Sequence, residues 1–513
     1  MLETALTEGW TKAEWWKLRL RPKHLASSIN NDNDLPPLPS GKSAVDVLTD
    51  FIEYLFHCAK TYITERHLAF PWSSFEDSIE YIFTHPNGWE GVQQQLYRHA
   101  IERAGLIPST PDGQSRVHML TEGEASLHFC IPNLLDLETA NQVAPQGVVI
   151  IDAGGMTIDL SMFLITTNPI SCEEIAPPEC RLEGSVFVTR RAKLLLQRKL
   201  EGWEHSGPDE INEFTHEFEQ STKLVIKSDQ EPAYVRVGGR RCNNPTYKIS
   251  FGKLKLTGEE ATGLFNESYD AIISAFEQQQ KSATTLITTA FFVGGLSTND
   301  WLFSRLQSFF KDRRINLCRP DNHINKAVAN GAVLSHVDRG NHLVTSRVAR
   351  ATYGVVYALP VEENNKEHIR RKNQWQRDPP GNFYIPGRFN VTLRKGDPVR
   401  EKTGSRYPFS LTESVPADFG TQIIRLVCYR GNLSNPEWID QDKSSFSTYC
   451  TIRVDLSVAV KDTVLRKNAS GKVCYQLDYD VIVLFGLTEI QAYLCWKARD
   501  GERRTTAKIS FED

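Results

Sequence analysis

The densest chemistry in the sequence lies in one short run, Asp152-Ala153-Gly154-Gly155-Met156-Thr157-Ile158-Asp159. The apolar residues Val148 to Ile151 lead into Asp152 as a buried strand. The chain then turns through Gly154 and Gly155, and an alternating strand resumes beyond Thr157, so Val148–Phe163 reads as a β-hairpin. With Asp152 and Asp159 at its shoulders, such a turn lets backbone N–H groups approach a phosphate while a carboxylate holds the Mg²⁺ shell. A plain tight turn carries the same signature. Upstream, the strand Val117–Leu120 runs into Thr121-Glu122-Gly123-Glu124-Ala125-Ser126, where the acidic pair opens a helix toward Cys130. Acids in a first helical turn also serve the helix dipole alone. Because the strand bearing Glu122 is followed at once by the hairpin of Asp152, both carboxylates are expected to converge on one cleft at strand ends.

A second glycine turn closes an apolar strand within Ala290–Leu306. The strand ends in Gly294-Gly295, and a helix begins near Ser297 or Asn299 with Trp301, Leu302 and Leu306 on its buried side. A strand feeding such a turn and a helix N-terminus brings backbone close to a base, ribose or phosphate, or simply packs strand against helix. The small residues of Ala327–Val333 predict tight helix packing. Leu182-Glu183-Gly184-Ser185 precedes a basic amphipathic helix, Val186 to Leu200. A polar helix follows with Phe214, Phe218, Glu219, Lys223 and Val225 at helical spacings, where charge fits a solvated face as readily as a ligand role.

The elements that position these residues read as alternating helix and strand. Tryptophans 10, 15 and 16 open the chain, followed by a proline-punctuated loop, Ser27 to Pro39. Ser43, with Asp46 three residues on, predicts an N-cap for a helix packing Leu48, Phe51, Ile52, Leu55, Ala59, Tyr62 and Ile63 on a sheet. Ile79–Thr84 reads as a strand and Glu90 to Ala104 as a helix, which is α/β logic. Tyr234 to Leu256 is strand-rich, and a helix is expected from about Gly258 to Gln280.

At 513 residues the chain has room for two to four domains, at roughly 100–200 residues each. A net charge of −4 gives no reason to expect nucleic acid, and no basic run suggests a membrane surface. The ten cysteines include no CxxC pair, and Cys172 and Cys180 lack partners at zinc spacing, so free buried thiols in a reducing compartment are expected. The N-terminus shows no basic-then-apolar signal and no segment reaches the ~18 apolar residues of a membrane span, which predicts the cytoplasm, with the nucleus as alternative.

Past Arg339 strands dominate. Cys450, Ile452, Val454, Leu456, Val458 and Val460 alternate, as do Tyr475, Leu477, Tyr479, Val481, Val483 and Phe485, and Asp500-Gly501 marks a turn. The charged run within Glu362 to Gly381 reads as solvated surface. A small β-sandwich is expected.

Taken in order, Glu122–Ser126, Asp152–Asp159, Val293–Asn299 and Ala327–Val333 resemble the nucleotide motifs of the actin-like ATPase superfamily, most of all a divergent branch of the 70-kDa heat-shock chaperone family, over about Trp15 to Arg339. The resemblance implies an α/β actin-like ATPase (ribonuclease H-like) two-lobed domain, residues 1–340, N-terminally truncated. Its first lobe, 1–145, is incomplete, and its second is 146–340. A β-rich, substrate-binding-like region, 341–513, follows and resembles the family's peptide-capturing sandwich without its helical lid. Position by position, the resemblance implies that Asp152, Gly154, Gly155 and Thr157 face the γ-phosphate and the water shell of Mg²⁺, and that Glu122 lies near the hydrolytic water. It places Gly184 near phosphate or ribose, puts Gly294, Gly295, Ser297 and Asn299 in the adenosine turn, and loosely matches Glu219 and Lys223 to the adenine and ribose helix.

Two departures shape the expected activity. The family's opening Asp-x-Gly-Thr hairpin has no counterpart before Trp10, which removes one jaw of the phosphate clamp and predicts an exposed apolar groove on the first lobe. Met156 stands where the family has a third glycine, which predicts a side chain in phosphate space or a strained backbone. The expectation is a chaperone-type protein with a weak or degenerate site for ATP and Mg²⁺, impaired hydrolysis, and a client or partner protein. The alternatives are a non-catalytic interaction scaffold on the same fold and, with no acceptor-site base in view, a sugar or acetate kinase.

Overall fold

A computed structural model describes residues 8–23, 25, 35–67, 71–137, 145–167, 170–283, 285–320, 324–337, 343–377, 383–400, 404–467, 473–485 and 489–511. Most of the expected Ser27–Pro39 loop and Arg339 itself lie outside these residues. The chain divides into two compact units, Met1–Val344 and Thr345–Asp513.

In the first unit Ser43 caps as its spacing predicts. Its hydroxyl accepts from the N–H of Asp46, whose carboxylate accepts from Ser43 N–H at 2.9 Å, launching α1 (Ala44–Arg66). Strand β1 (Tyr81–His85) crosses over through α2 (Gly91–Arg103) to a parallel β2 (Val117–Thr121), with Tyr81 opposite Val117. Tyr81, Phe83, Val117 and Met119 pack against Leu48, Ile52, Tyr97 and Ile101 of α1 and α2, joined by Trp16 and Leu20 from the N-terminal segment. On the opposite face Ile82 and Leu120 meet Ala125 and Ala332.

The expectation that all the apolar positions of α1 pack on a sheet is corrected. Leu48 and Ile52 are buried, but Phe51, Leu55 and Tyr62 are 46%, 49% and 59% exposed. Among the described residues this sheet has two strands. With strands ~4.8 Å apart it offers a surface about one helix wide, so α1 covers it with one stripe and leaves the next in water.

Helix α3 (Glu122–Leu137) follows β2 without a break. The larger sheet begins with β3 (Gln146–Ala153), β4 (Ile158–Thr167), β5 (Ile170–Glu174) and the short β6 (Glu179–Arg181). Then come α4 (Ser185–Lys199) and α5 (Pro208–Glu217), which continues through a π-helical turn, Phe218–Thr222, into Lys223–Val225. Strands β7 (Ala233–Arg236), β8 (Ile249–Ser250) and β9 (Lys253–Leu256) make a small antiparallel sheet. The single helix expected from Gly258 is two, Gly258–Gly263 and α6 (Asn266–Ser282), because burying both Leu264 and Phe265 redirects the chain between them. The larger sheet resumes with β10 (Ile287–Val293), followed by α7 (Asp300–Asp312), β11 (Asn316–Cys318) and α8 (Ala327–Val337). Among these strands of the first unit the order is β11-β10-β3-β4-β5, with β6 pairing to β4.

Alternate residues of β3 supply two cores. Val149 and Ile151 pack with Val188, Ile272, Phe276, Leu302 and Leu306 on one face, and Val148 and Ile150 with Leu127, Cys130, Phe291 and Ala327 on the other. Cover on both faces explains why Val148 to Ile151 is continuously apolar. Helix α8 crosses α3 so closely that Gly331 lies against the backbone carbonyl of Ala125, with no room for a methyl group.

Besides a short antiparallel pairing of residues 346–348 with Pro398–Arg400, the second unit carries, among the described residues, two larger antiparallel sheets. One runs Gln376–Arg377, Phe383–Leu393, Thr352–Pro360, Thr421–Tyr429, Phe446–Asp455 and Lys508–Phe511; the other runs Gly404–Glu413, Val473–Leu484, Gln491–Ala498 and Gly501–Thr506, with Val464–Lys467 on Val473–Leu484. Leu426, Ile452 and Val454 of the first share a core with Leu477, Val481, Val483 and Leu494 of the second, as in a sandwich. Val458 and Val460 do not extend the Phe446–Asp455 strand as expected. Asp455 accepts from Ser457 N–H at 3.0 Å and starts a 3₁₀ segment, Leu456–Asp462. The charged run is also corrected in its described part. His368 and Arg371 are buried, and Arg371 pairs with Glu367 at 2.8 Å and Asp440 at 2.6 Å while lying over Trp438.

All ten cysteines are free thiols, seven of them buried, as the scattered spacing predicts. Among the described residues no helix is long and apolar enough to cross a membrane.

Candidate functional site

The hairpin is the frame of the site. In the β3–β4 register Asp152 sits directly opposite Asp159, and in the parallel β3–β10 register it sits opposite Val293, which places the Gly294 turn against it. Helix α3 starts at the end of β2, and Ser126 Oγ in its second turn donates to Asp152 Oδ2 at 3.2 Å. Three acids gather here, Glu122, Asp152 and Asp159. Burial and then Glu122 push Asp159 up to about 7, against the Thr157 hydroxyl, the Asn87 N–H and the Cys180 thiol. Burial, then Glu122 and Asp159, raise Asp152 well above the usual carboxylate range, opposed by Ser126 and Lys17.

Lys17 supplies the cation. Its Nζ donates to Glu122 Oε1 at 2.9 Å and lies 5.4 Å from the centre of the Trp89 ring. Burial opposes its charge, but Glu122 and Asp159, with Tyr97, outweigh that and raise its pKa. One ammonium among three carboxylates leaves an excess of negative charge that a hydrated divalent cation or bound protons can balance.

The turn itself is held from one side. The N–H groups of Gly184, Ser185 and Val186, opening α4, donate to the carbonyls of Met156 (3.1 Å), Gly154 (3.1 Å) and Gly155 (2.8 Å). Across a trans peptide each carbonyl points opposite to the next N–H. The N–H groups of Gly155, Met156 and Thr157 therefore point away from α4. A Cβ at Gly155 or Gly295 would meet nothing within 4 Å, whereas one at Gly184 would strike the backbone of Gly155 and Met156.

Met156 corrects an expectation. It is not among the residues with left-handed backbone, and its side chain packs with Leu18, Leu35, Leu182 and Phe187. It neither strains the turn nor fills the face toward which the N–H groups point.

The structure thus brings Glu122, Asp152, Gly154, Gly155, Thr157, Gly184, Gly294 and Gly295 around one end of the larger sheet. The remaining expected residues support the turns. Ser297 Oγ donates to Gly294 O at 2.7 Å. Asn299 caps α7 by accepting from Leu302 N–H at 2.9 Å, and its Nδ2 donates to the carbonyls of Lys223 (3.3 Å) and Ile226 (3.2 Å). Lys223 Nζ donates to Ser185 Oγ at 2.8 Å and Thr189 Oγ1 at 3.0 Å and lies 3.4 Å from Glu219. Burial lowers the pKa of Lys223, with Glu219 opposing.

Sequence reasoning missed Lys17 and Asn87. Asn87 is fully buried and bridges β4 and α3: its N–H donates to Asp159 Oδ1 at 2.7 Å, its Nδ2 to Leu160 O at 3.0 Å, and its Oδ1 accepts from Gly123 N–H at 3.2 Å. The His85-Pro86-Asn87-Gly88 turn after β1 was its one visible signal. Lys17 had none, since its partners are far away in sequence.

Residues 347–471, inside the second unit, match a protein-family profile described as a domain of unknown function, DUF8568. A search of curated proteins finds no match to the chain.

Proposed function

We propose that the first unit is an actin-like (ribonuclease H-like) nucleotide-binding domain of the 70-kDa heat-shock type, with a weak or degenerate site for ATP and Mg²⁺, and that the second captures extended segments of a client protein. The reading is carried by one observation: α4 holds the carbonyls of Gly154, Gly155 and Met156, which turns the intervening N–H groups away from it, in the same hairpin that pairs Asp152 with Asp159. Phosphate oxygens need such N–H groups and a hydrated Mg²⁺ the carboxylates. These residues fit the metal, with Asp152 and Asp159 holding it through water; when bound it would neutralise phosphate charge. Glu122 would orient a water, but its ion pair with Lys17 ties up one carboxylate oxygen, which supports slow hydrolysis. In the second unit a groove of about 700 Å³ lined by Phe409, Tyr479 and Trp496, whose acids Asp480 and Glu502 are paired with Arg406, offers apolar surface to an extended segment. The free thiols fit a reducing compartment, cytoplasm or nucleus.

The test is thermal unfolding with Mg·ATP. Binding predicts stabilisation of about 1.4 kcal/mol at ligand tenfold above Kd, abolished by Asp152→Asn. A second reading, a scaffold that binds protein without nucleotide, is favoured by the exposed apolar stripe of α1. No shift at millimolar Mg·ATP would select it.

A further inference from the structure

Away from the carboxylate cluster, three potential metal ligands meet from separate elements of the first unit. Glu80 immediately precedes β1, His118 lies on β2, and His336 lies in the last turn of α8. Glu80 Oε2 is 2.7 Å from His118 Nε2 and 3.1 Å from His336 Nε2. The two imidazole rings are 5.1 Å apart, centre to centre, and one ligand atom from each of the three residues falls within 4.8 Å of the others.

We propose that Glu80, His118 and His336 form a transition-metal site of the two-histidine, one-carboxylate kind, selective for Zn²⁺ over Mg²⁺ or Ca²⁺, with its fourth position open to water. The donors are two imidazoles and one carboxylate, a set that suits zinc, whereas magnesium and calcium call for oxygen alone. A tetrahedral zinc with bonds of ~2.0–2.1 Å needs donor atoms about 3.3 Å apart, so the two Glu80 spacings must open by a few tenths of an ångström, while the histidine nitrogens, within 4.8 Å of each other, settle to the same separation. Glu80 is 42% exposed at its side chain, while the histidines, at 26% and 23%, sit on strand and helix. Nδ1 of His336 is buried without a hydrogen-bond partner, which leaves Nε2, the nitrogen already facing Glu80, as the coordinating atom. The C-terminal turn of α8 adds the negative end of a helix dipole, which favours a cation there.

Such an ion would tie the two strands of the smaller sheet to α8. It requires no nucleotide and so stands or falls apart from the carboxylate cluster. The test uses the full chain, stripped with chelator and titrated with Co²⁺ and then Zn²⁺. The expected result is one equivalent of Co²⁺ with tetrahedral visible absorption lacking thiolate charge-transfer bands, displaced by Zn²⁺, and a Zn²⁺-dependent rise in Tm. His118→Gln with His336→Gln should abolish both. Glu80→Gln, at a half-exposed position that the fold tolerates, should weaken binding at least ~100-fold, since losing even an outer-sphere partner typically costs 10–100-fold. Absence of the absorption in the wild-type chain, its persistence in the double variant, or unchanged affinity in Glu80→Gln overturns the proposal.

Discussion

Gly294 lies so close to Asp152 that a methyl group on its Cα would overlap Oδ1 of the carboxylate and the backbone of Ala153. The backbone of Gly294, at φ 87° and ψ 168°, occupies a region that only glycine adopts readily. Both facts follow from the parallel pairing of β3 and β10, which ends the two strands together. Gly294→Ala is therefore expected to lower stability by about 2–3 kcal/mol and to remove any Mg·ATP-dependent stabilisation. Urea denaturation with and without ligand checks this, and an Ala variant with wild-type behaviour would show that the two turns are not in contact.

Lys17 and the three acids predict an unusual pH dependence. A carboxyl whose folded pKa lies above its unfolded value takes up a proton on folding, so its contribution to stability is complete below the unfolded pKa and is lost as pH rises through the folded one. Asp159, carried from 3.8 to about 7, accounts for about 4 kcal/mol lost across that window, at ~1.4 kcal/mol per pKa unit. Asp152 shifts in the same direction. Lys17→Met removes the opposing cation and should cost about 3 kcal/mol at pH 8 and less at pH 5, where Asp152 and Asp159 hold protons. Equal losses at the two pH values in urea unfolding would rule out this electrostatic account.

Asn299→Ala should destabilise the first unit by roughly 1–3 kcal/mol. It deletes the N-cap of α7 and strips the carbonyls of Lys223 and Ile226 of a buried donor. Asn299→Asp keeps the cap acceptor but not the donor, so it should recover only part of the loss. Chemical denaturation of the two variants in parallel separates the contributions.

In the second unit, Arg371→Met should cost about 1–3 kcal/mol, because it leaves Glu367 and Asp440 without their guanidinium and uncovers Trp438. Exposed lysine 372, one residue on, should tolerate Met within ~0.5 kcal/mol. Matching losses at the two positions would mean that the run is solvated after all.

Local rules were enough where the physics is local. The Ser43 cap, the β3–β4 hairpin and the start of α7 at Asn299 each depend on residues within a few positions of one another, and each stands where its spacing predicts. They were not enough for α1, whose apolar residues read as one buried face although the sheet beneath covers only Leu48 and Ile52. Nor could they separate Arg371 from the exposed charges beside it, since its partner Asp440 is 69 residues away.

The sequence by itself determined that Asp152, Gly154 and Gly155 form a carboxylate-bearing turn, because strand periodicity and glycine permissiveness act over a handful of residues. Only the tertiary structure decided which charges face that turn. Lys17 reaches Glu122 across 105 positions and Asn87 reaches Asp159 across 72, and such pairings arise from how sheets and helices stack, where burial strengthens every charge interaction and no spacing along the chain records it.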